Sequence, residues 1–245
     1  MAHGLPDWGL VGPKQTVYGL DDVGEAAVRL GSIVSWDRRG DVVMMDDFEH
    51  GVGQVALSAA GLNSYVYLQT GYGKYGAYCV RLFCDKIIGA TCQLYYSFPV
   101  LVMSGWGLEF AFSVEENTDY WLMWITYYDG TYSHLAQIEI DVQNNRLRYL
   151  DSGNNLQEFA VDVKLNPMLR PINHAKLVVD MTTLQYERFI LNETTYLLKG
   201  YGVYPALDGL NPMMDAVMAV YSYDDEGSDQ VVDCVIVTQN EPMSP

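Results

Sequence analysis

Positive charge is scarce in this chain: 14 Lys and Arg stand against 31 Asp and Glu, a formal net charge of −17 over 245 residues. A surface of that sign repels phosphate backbones and anionic headgroups, which argues against nucleic acid or a membrane as partner. No apolar run approaches the ~20 residues of a membrane-spanning helix, and Met1–Asp7 lacks the basic flank and apolar stretch of a signal peptide. Cysteine is sparse too. Cys79, Cys84, Cys92 and Cys234 form no CxxC pair and no zinc-finger spacing with His. The default reading makes them small buried hydrophobes on strands, with one bridge, Cys84 to Cys92 across a turn, left open. Helical periodicity is missing from most of the chain, which excludes parallel α/β folds, since these need a helix between strands.

What is present is apolar: 49% of residues are hydrophobic and only 18% charged, enough for a sizeable core and too apolar for wholesale disorder. Residues 1–41 stand apart. Met1–Leu20 has two prolines, four glycines and no period, yet carries Leu5, Trp8, Tyr18 and Leu20 as spaced apolar anchors. Such a segment reads as an arm lying on another surface, because apolar groups left in water are unfavourable. A short helix follows. Asp22 and Glu25 resemble a capping box, Val23, Ala27 and Leu30 share a face, and Gly31 suits the left-handed end.

From Val42 onward the signal is β. Leu108, Phe110, Phe112 and Val114 alternate with Glu109, Ala111 and Ser113, while Tyr120–Tyr128 is apolar on both faces, as in a covered central strand. Asp129-Gly130 is a strong hairpin signal. About a dozen short strands separated by turns predict an all-β, two-sheet antiparallel jelly-roll sandwich over 42–245, preceded by an N-terminal arm and one short helix over 1–41.

Several groups bear on chemistry. Glu139 and Asp141 fall on one strand face, where a retaining glycoside hydrolase would place its two carboxylates. Glu139-Ile140-Asp141 resembles the Glu-x-Asp-x-x-Glu signature of laminarinase-like β-glucanases, but Asn144 stands where that pattern has its third carboxylate, so the acid/base is absent. Asp224, Asp225, Glu226, Asp229 and Asp233 form an acidic cluster suited to calcium, though not at EF-hand spacing. Asp233 falls in the same alternation as Val231, Val235 and Val237, and a buried carboxylate needs a partner or a metal. His134 alternates with Ala136 and Ile138 and reads as a hydrogen-bonded core histidine. Among the 19 tyrosines, Tyr65, Tyr67, Tyr95, Tyr96, Tyr120, Tyr127 and Tyr128 suit a sugar-binding face, an interface or the core, with core the default.

Phe48-Glu49-His50-Gly51 resembles the Phe-Glu-x-Gly opening of carbohydrate-binding-module jelly rolls. The resemblance implies a structural calcium held between Glu49, on the first strand, and Asp229 or Asp233 near the last. The tryptophan usual soon after that strand is missing, with Val55 and Ala56 there instead. Tyr186–Leu191, Asn192-Glu193 and Thr194–Leu198 look like the strand-turn-strand of concanavalin A-like and laminin G-like sandwiches. Gly4-Leu5-Pro6-Asp7-Trp8-Gly9, Val28-Arg29-Leu30-Gly31 and Trp36-Asp37-Arg38-Arg39-Gly40-Asp41 resemble phage virion structural proteins, in which an arm precedes a jelly roll. The leading expectation is therefore a non-enzymatic virion component, such as a capsid decoration, head-fibre or tail-associated protein. It would contact other virion proteins and copies of itself through Leu5, Trp8, Tyr18, Leu20, Val23, Ala27 and Leu30. The alternative is a module that binds a glycan, and after it a glycoside hydrolase using Glu139 and Asp141.

Overall fold

The computed structural model describes residues 39–243 apart from 75, 101, 116–118 and 223–226. The described residues form strands and turns, with no helix among them. β1 (Asp41–Asp46), β2 (Ala56–Ala60), β3 (Tyr65–Thr70), β4 (Tyr78–Cys84) and β5 (Thr91–Phe98) come first. β6 (Gly105–Val114), β7 (Tyr120–Tyr128), β8 (Tyr132–Asp141), β9 (Arg146–Leu150) and β10 (Leu156–Ala160) follow. β11 (Met168–Asp180), β12 (Gln185–Leu191), β13 (Thr194–Leu197), β14 (Tyr204–Leu207), β15 (Met213–Tyr221) and β16 (Ser228–Gln239) complete the series. They pair antiparallel in two sheets of eight. Sheet one runs β13-β12-β11-β6-β16-β4-β3, with β1 also on β16; sheet two runs β10-β9-β8-β7-β15-β5-β2, with β14 also on β8. The chain is an all-β jelly-roll sandwich.

The alternation read from the sequence sets the faces. On β6 the inward set is Trp106, Leu108, Phe110, Phe112 and Val114; on β7 it is Trp121, Met123 and Ile125. Phe110, Phe112 and Trp121 meet with centroids 5.3–5.7 Å apart, and each such fully buried side chain stabilises the fold by roughly 1.5–3 kcal/mol. Polar groups also cross between the layers. The Trp121 Nε1–H donates to the Ser113 carbonyl at 3.0 Å, and the Tyr186 hydroxyl of sheet one bonds to Gln137 and Leu150 of sheet two. All four cysteines are buried and free. The Cys84 and Cys92 thiols each donate to a carbonyl on the opposite sheet, Val220 and Phe83.

Three local readings change. The hairpin between β7 and β8 pairs Tyr128 with Ser133, and the Asp129 N–H donates to the Tyr132 carbonyl. The two central residues are thus Gly130 and Thr131, and Gly130 alone has positive φ, at 97°. Glycine at the first central position marks a type II′ turn, while the Asp129 carboxylate accepts from the Thr131 and Tyr132 N–H groups. The second change is in β16. Cys234 takes φ 56° at a bulge between Asp233 and Ile236. Val235 and Val237 therefore face the core while Val231 and Asp233 lie on the other side, and the alternation that grouped all four is broken. The third is Glu49, which sits in the turn after β1 and not on a strand.

Sheet one carries the C-terminal tail on its outer side. A Cβ on Gly105 would lie 2.7 Å from the Glu241 carbonyl oxygen, and one on Gly107 2.4 Å from the Thr238 Oγ1. These glycines make room for Glu241, whose buried carboxylate accepts from Lys176 at 2.7 Å, Arg188 at 2.5 Å and Thr238 at 2.6 Å. Lys176 also donates to the Arg39 carbonyl at 3.3 Å.

Candidate functional site

The outer side of sheet two gathers side chains that packing does not require. With Trp121, Met123 and Ile125 in the core, the strand pleat turns Tyr120, Leu122, Trp124, Thr126 and Tyr128 outward. Register then arranges neighbours in rows across the strands. One row is Ala56, Tyr95, Val217, Trp124 and Gln137. The next is Ser58, Gln93, Ala219, Leu122, Glu139 and Arg148. Val217 and Ala219 point outward yet are 0% exposed. They are short residues between the taller Tyr95 and Gln93 on β5 and Trp124 and Leu122 on β7, whose side chains close over them. Trp124, Tyr95, Tyr128 and Gln137 are half-buried along this strip.

Hydrogen bonds tie the side chains of this strip together. The Tyr95 hydroxyl donates to Gln93 Oε1. On the row beyond, the Asp215 carboxylate accepts from the Ser97 hydroxyl at 2.6 Å and from Tyr128. Burial, with the Asp215 charge behind it, pushes the Tyr128 phenol up to about 12, and burial also raises Tyr95 and Tyr120. All three hydroxyls therefore stay protonated at neutral pH as donors and acceptors.

Glu139 and Asp141 lie on this same face, as their spacing implies, but both are tied to arginines. Arg148 forms a short ion pair with Glu139 and lies 3.7 Å from Asp141; Arg146 donates to Asp141 at 2.6 Å and lies 3.7 Å from Glu158. The Arg148 guanidinium also sits 5.7 Å from the Tyr120 ring centroid, within cation–π range. Burial pushes the Glu139 carboxyl up, against the pull of Arg148. Asn144 gives both its backbone N–H and its side-chain amide to Asp141, at 3.0–3.1 Å. It locks the nearby turn where an acid/base would stand.

The carboxylates proposed for calcium are engaged separately. Glu49 Oε1 accepts from the N–H groups of Ala77 and Tyr78 at 2.7 and 2.8 Å, fastening the start of β4. Asp229 pairs with Arg81 on the outer side of sheet one, beside Tyr67 and Gln69. Asp233 accepts from the N–H groups of Lys74 and Cys234, each at 2.7 Å. Among the described residues no three His, Cys, Asp or Glu converge as a metal set; Asp224, Asp225 and Glu226 lie outside them. So do Leu5, Trp8, Tyr18, Leu20, Val23, Ala27 and Leu30, together with the expected helix.

The tyrosines left undecided by the sequence now separate. Tyr96 is core, Tyr127 packs against the core, Tyr65 and Tyr67 are exposed on sheet one, and Tyr95, Tyr120 and Tyr128 are half-buried on the outer side of sheet two. His134 is half-buried, bonded to Asp129 at 3.0 Å and stacked on Tyr127. Trp124 was hidden in the sequence because β7 is apolar on both faces. A groove of about 710 Å³ elsewhere, lined by residues including Lys164, Asn166, His174, Asn192 and Tyr196, is less suited to a ligand. Its Asn192 side chain is already engaged: it donates to the Lys164 carbonyl and to Asn173 and accepts from the His174 N–H.

No protein-family model matches the chain, and no curated protein matches it. Solved structures do. An endo-β-1,4-glucuronan lyase from the fungus Trichoderma reesei matches with a TM-score of 0.58 at 12% identity, over 81% of this chain and 96% of that one. Cellulose induced protein Cip1 matches with 0.56 at 14%, over 82% and 100%. Peanut lectin matches with 0.50 at 8%, over 82% and 98%. At these identities the likeness shows a shared concanavalin A-like sandwich fold.

Proposed function

We propose that this protein binds a carbohydrate on the outer side of sheet two and does not cleave it. The observation that carries the reading is the strip of half-buried side chains on that side: Trp124, Tyr95, Tyr120, Tyr128, Gln93 and Gln137 offer stacking faces and hydrogen bonds together. The names of the structural neighbours, a lectin and a polysaccharide lyase among them, agree with it. Against hydrolysis by the glucanase pair stand the carboxylates themselves: Glu139 and Asp141 are each held by an arginine, and the third position of that pattern is Asn144. The carbohydrate reading takes precedence over a virion role because the arm on which the virion role rests lies outside the described residues.

A glycan array with the full chain tests this. The wild type should give discrete hits, and Trp124→Ala should weaken them at least tenfold, about 1.4 kcal/mol, with an unchanged melting temperature because Trp124 lies off the core. Hits that survive both Trp124→Ala and Tyr95→Ala would move binding away from this face.

A further inference from the structure

We infer that the saccharide taken by this face is neutral and not a uronate polymer; the inference rests on the carbohydrate reading of the same face. The strands of sheet two carry two cationic side chains, Arg146 and Arg148, against four carboxylates, Glu139, Asp141, Glu158 and Asp215. Register puts Glu139, Arg148 and Glu158 in one row, with Asp141 and Arg146 side by side in the next. Each guanidinium is already shared: Arg148 between Glu139 and Asp141, Arg146 between Asp141 and Glu158. Asp215, on β15, is held by the Ser97 hydroxyl and Tyr128. The face is thus two charges to the negative side, and both its cations are committed before any ligand arrives.

A uronate polymer brings one carboxylate per sugar. Seating it among half-buried side chains would strip those carboxylates of water, and they would meet carboxylates with no uncommitted cation among the described residues of these strands. A desolvated charge without a partner is strongly disfavoured. A neutral sugar needs no cation. It needs a flat apolar surface for its C–H face and donors and acceptors for its hydroxyls, which Trp124, Tyr95, Gln93, Gln137 and Asp215 present. The ion pairs then act as selectivity elements: they keep the arginines from capturing acidic sugars while leaving oxygen atoms able to accept from hydroxyls.

Calorimetric titration of the full chain with two sets of hexasaccharides tests this. The neutral set is cellohexaose, xylohexaose and mannohexaose; the acidic set is glucuronan and alginate hexamers. We expect a neutral oligomer to bind at least tenfold tighter than either uronate, with an affinity that hardly changes with salt. Glu139→Gln, which releases Arg148, should raise uronate affinity roughly tenfold in a salt-sensitive way. A wild-type preference for a uronate at low salt overturns the inference while sustaining carbohydrate binding. Binding of neither set overturns the carbohydrate reading and this inference with it.

Discussion

The Tyr186 hydroxyl joins the two sheets from within the core. It accepts from the Gln137 N–H at 2.8 Å and donates to the Leu150 carbonyl at 2.8 Å, so one oxygen satisfies the backbones of β8 and β9. Burial pushes its phenol well above the usual range, which keeps it a donor at any working pH. Tyr186→Phe leaves a buried N–H and a buried carbonyl short of a partner and should cost about 1–3 kcal/mol, read as a lower urea midpoint at unchanged slope. A variant as stable as the wild type would mean that water replaces the hydroxyl. Nothing in the sequence separated this tyrosine from its 18 counterparts. Alternation places Tyr186 inward, but which carbonyls it meets depends on strands 36 and 49 residues away.

At the scale of elements, the β7–β8 hairpin couples turn chemistry to pH. The Asp129 carboxylate accepts from the N–H groups of Tyr132 and Thr131 and from His134, which hold it down at about 2, below its ordinary 3.8. A depressed acid contributes stability above its unfolded value and loses it as pH falls through the folded one. The difference in melting temperature between wild type and Asp129→Asn should therefore be constant above about pH 5 and shrink toward zero as pH approaches about 2. A difference flat across that range would show that the carboxylate plays no such part. The long strands were legible here: β7 is the Tyr120–Tyr128 segment read as apolar on both faces, and β6 carries the alternation of Leu108 to Val114. β14 was not, since Pro205 and the nearby glycines argue against a strand; it forms by adding to β8 at Tyr132–Leu135. The β16 bulge was equally hidden, because nothing local to Cys234 announces a left-handed residue there.

For the molecule as a whole, two measurements address what the sequence raised. Chelation with EDTA should leave the melting temperature unchanged, because Glu49, Asp229 and Asp233 are each already bonded to a protein donor; a loss of several degrees would restore a structural calcium. Removal of residues 1–38, a cut that spares the Arg39 carbonyl beneath Lys176, should leave the β circular dichroism intact and abolish self-association seen by light scattering. Unchanged assembly would remove the arm as a subunit contact.

The sequence by itself determined the class of fold and the inward set of each regular strand, because two-residue alternation and turn residues act locally and need no knowledge of the partner strand. It also placed Glu139 and Asp141 on one face, for the same reason. Tertiary structure alone decided that those carboxylates face arginines from the next strand, that Tyr95 and Trp124 flank the covered Val217, and that Asp233 leaves the alternation of Val235 and Val237. Each of these depends on register between segments far apart in the chain, and register is set by how the two sheets close on a shared core.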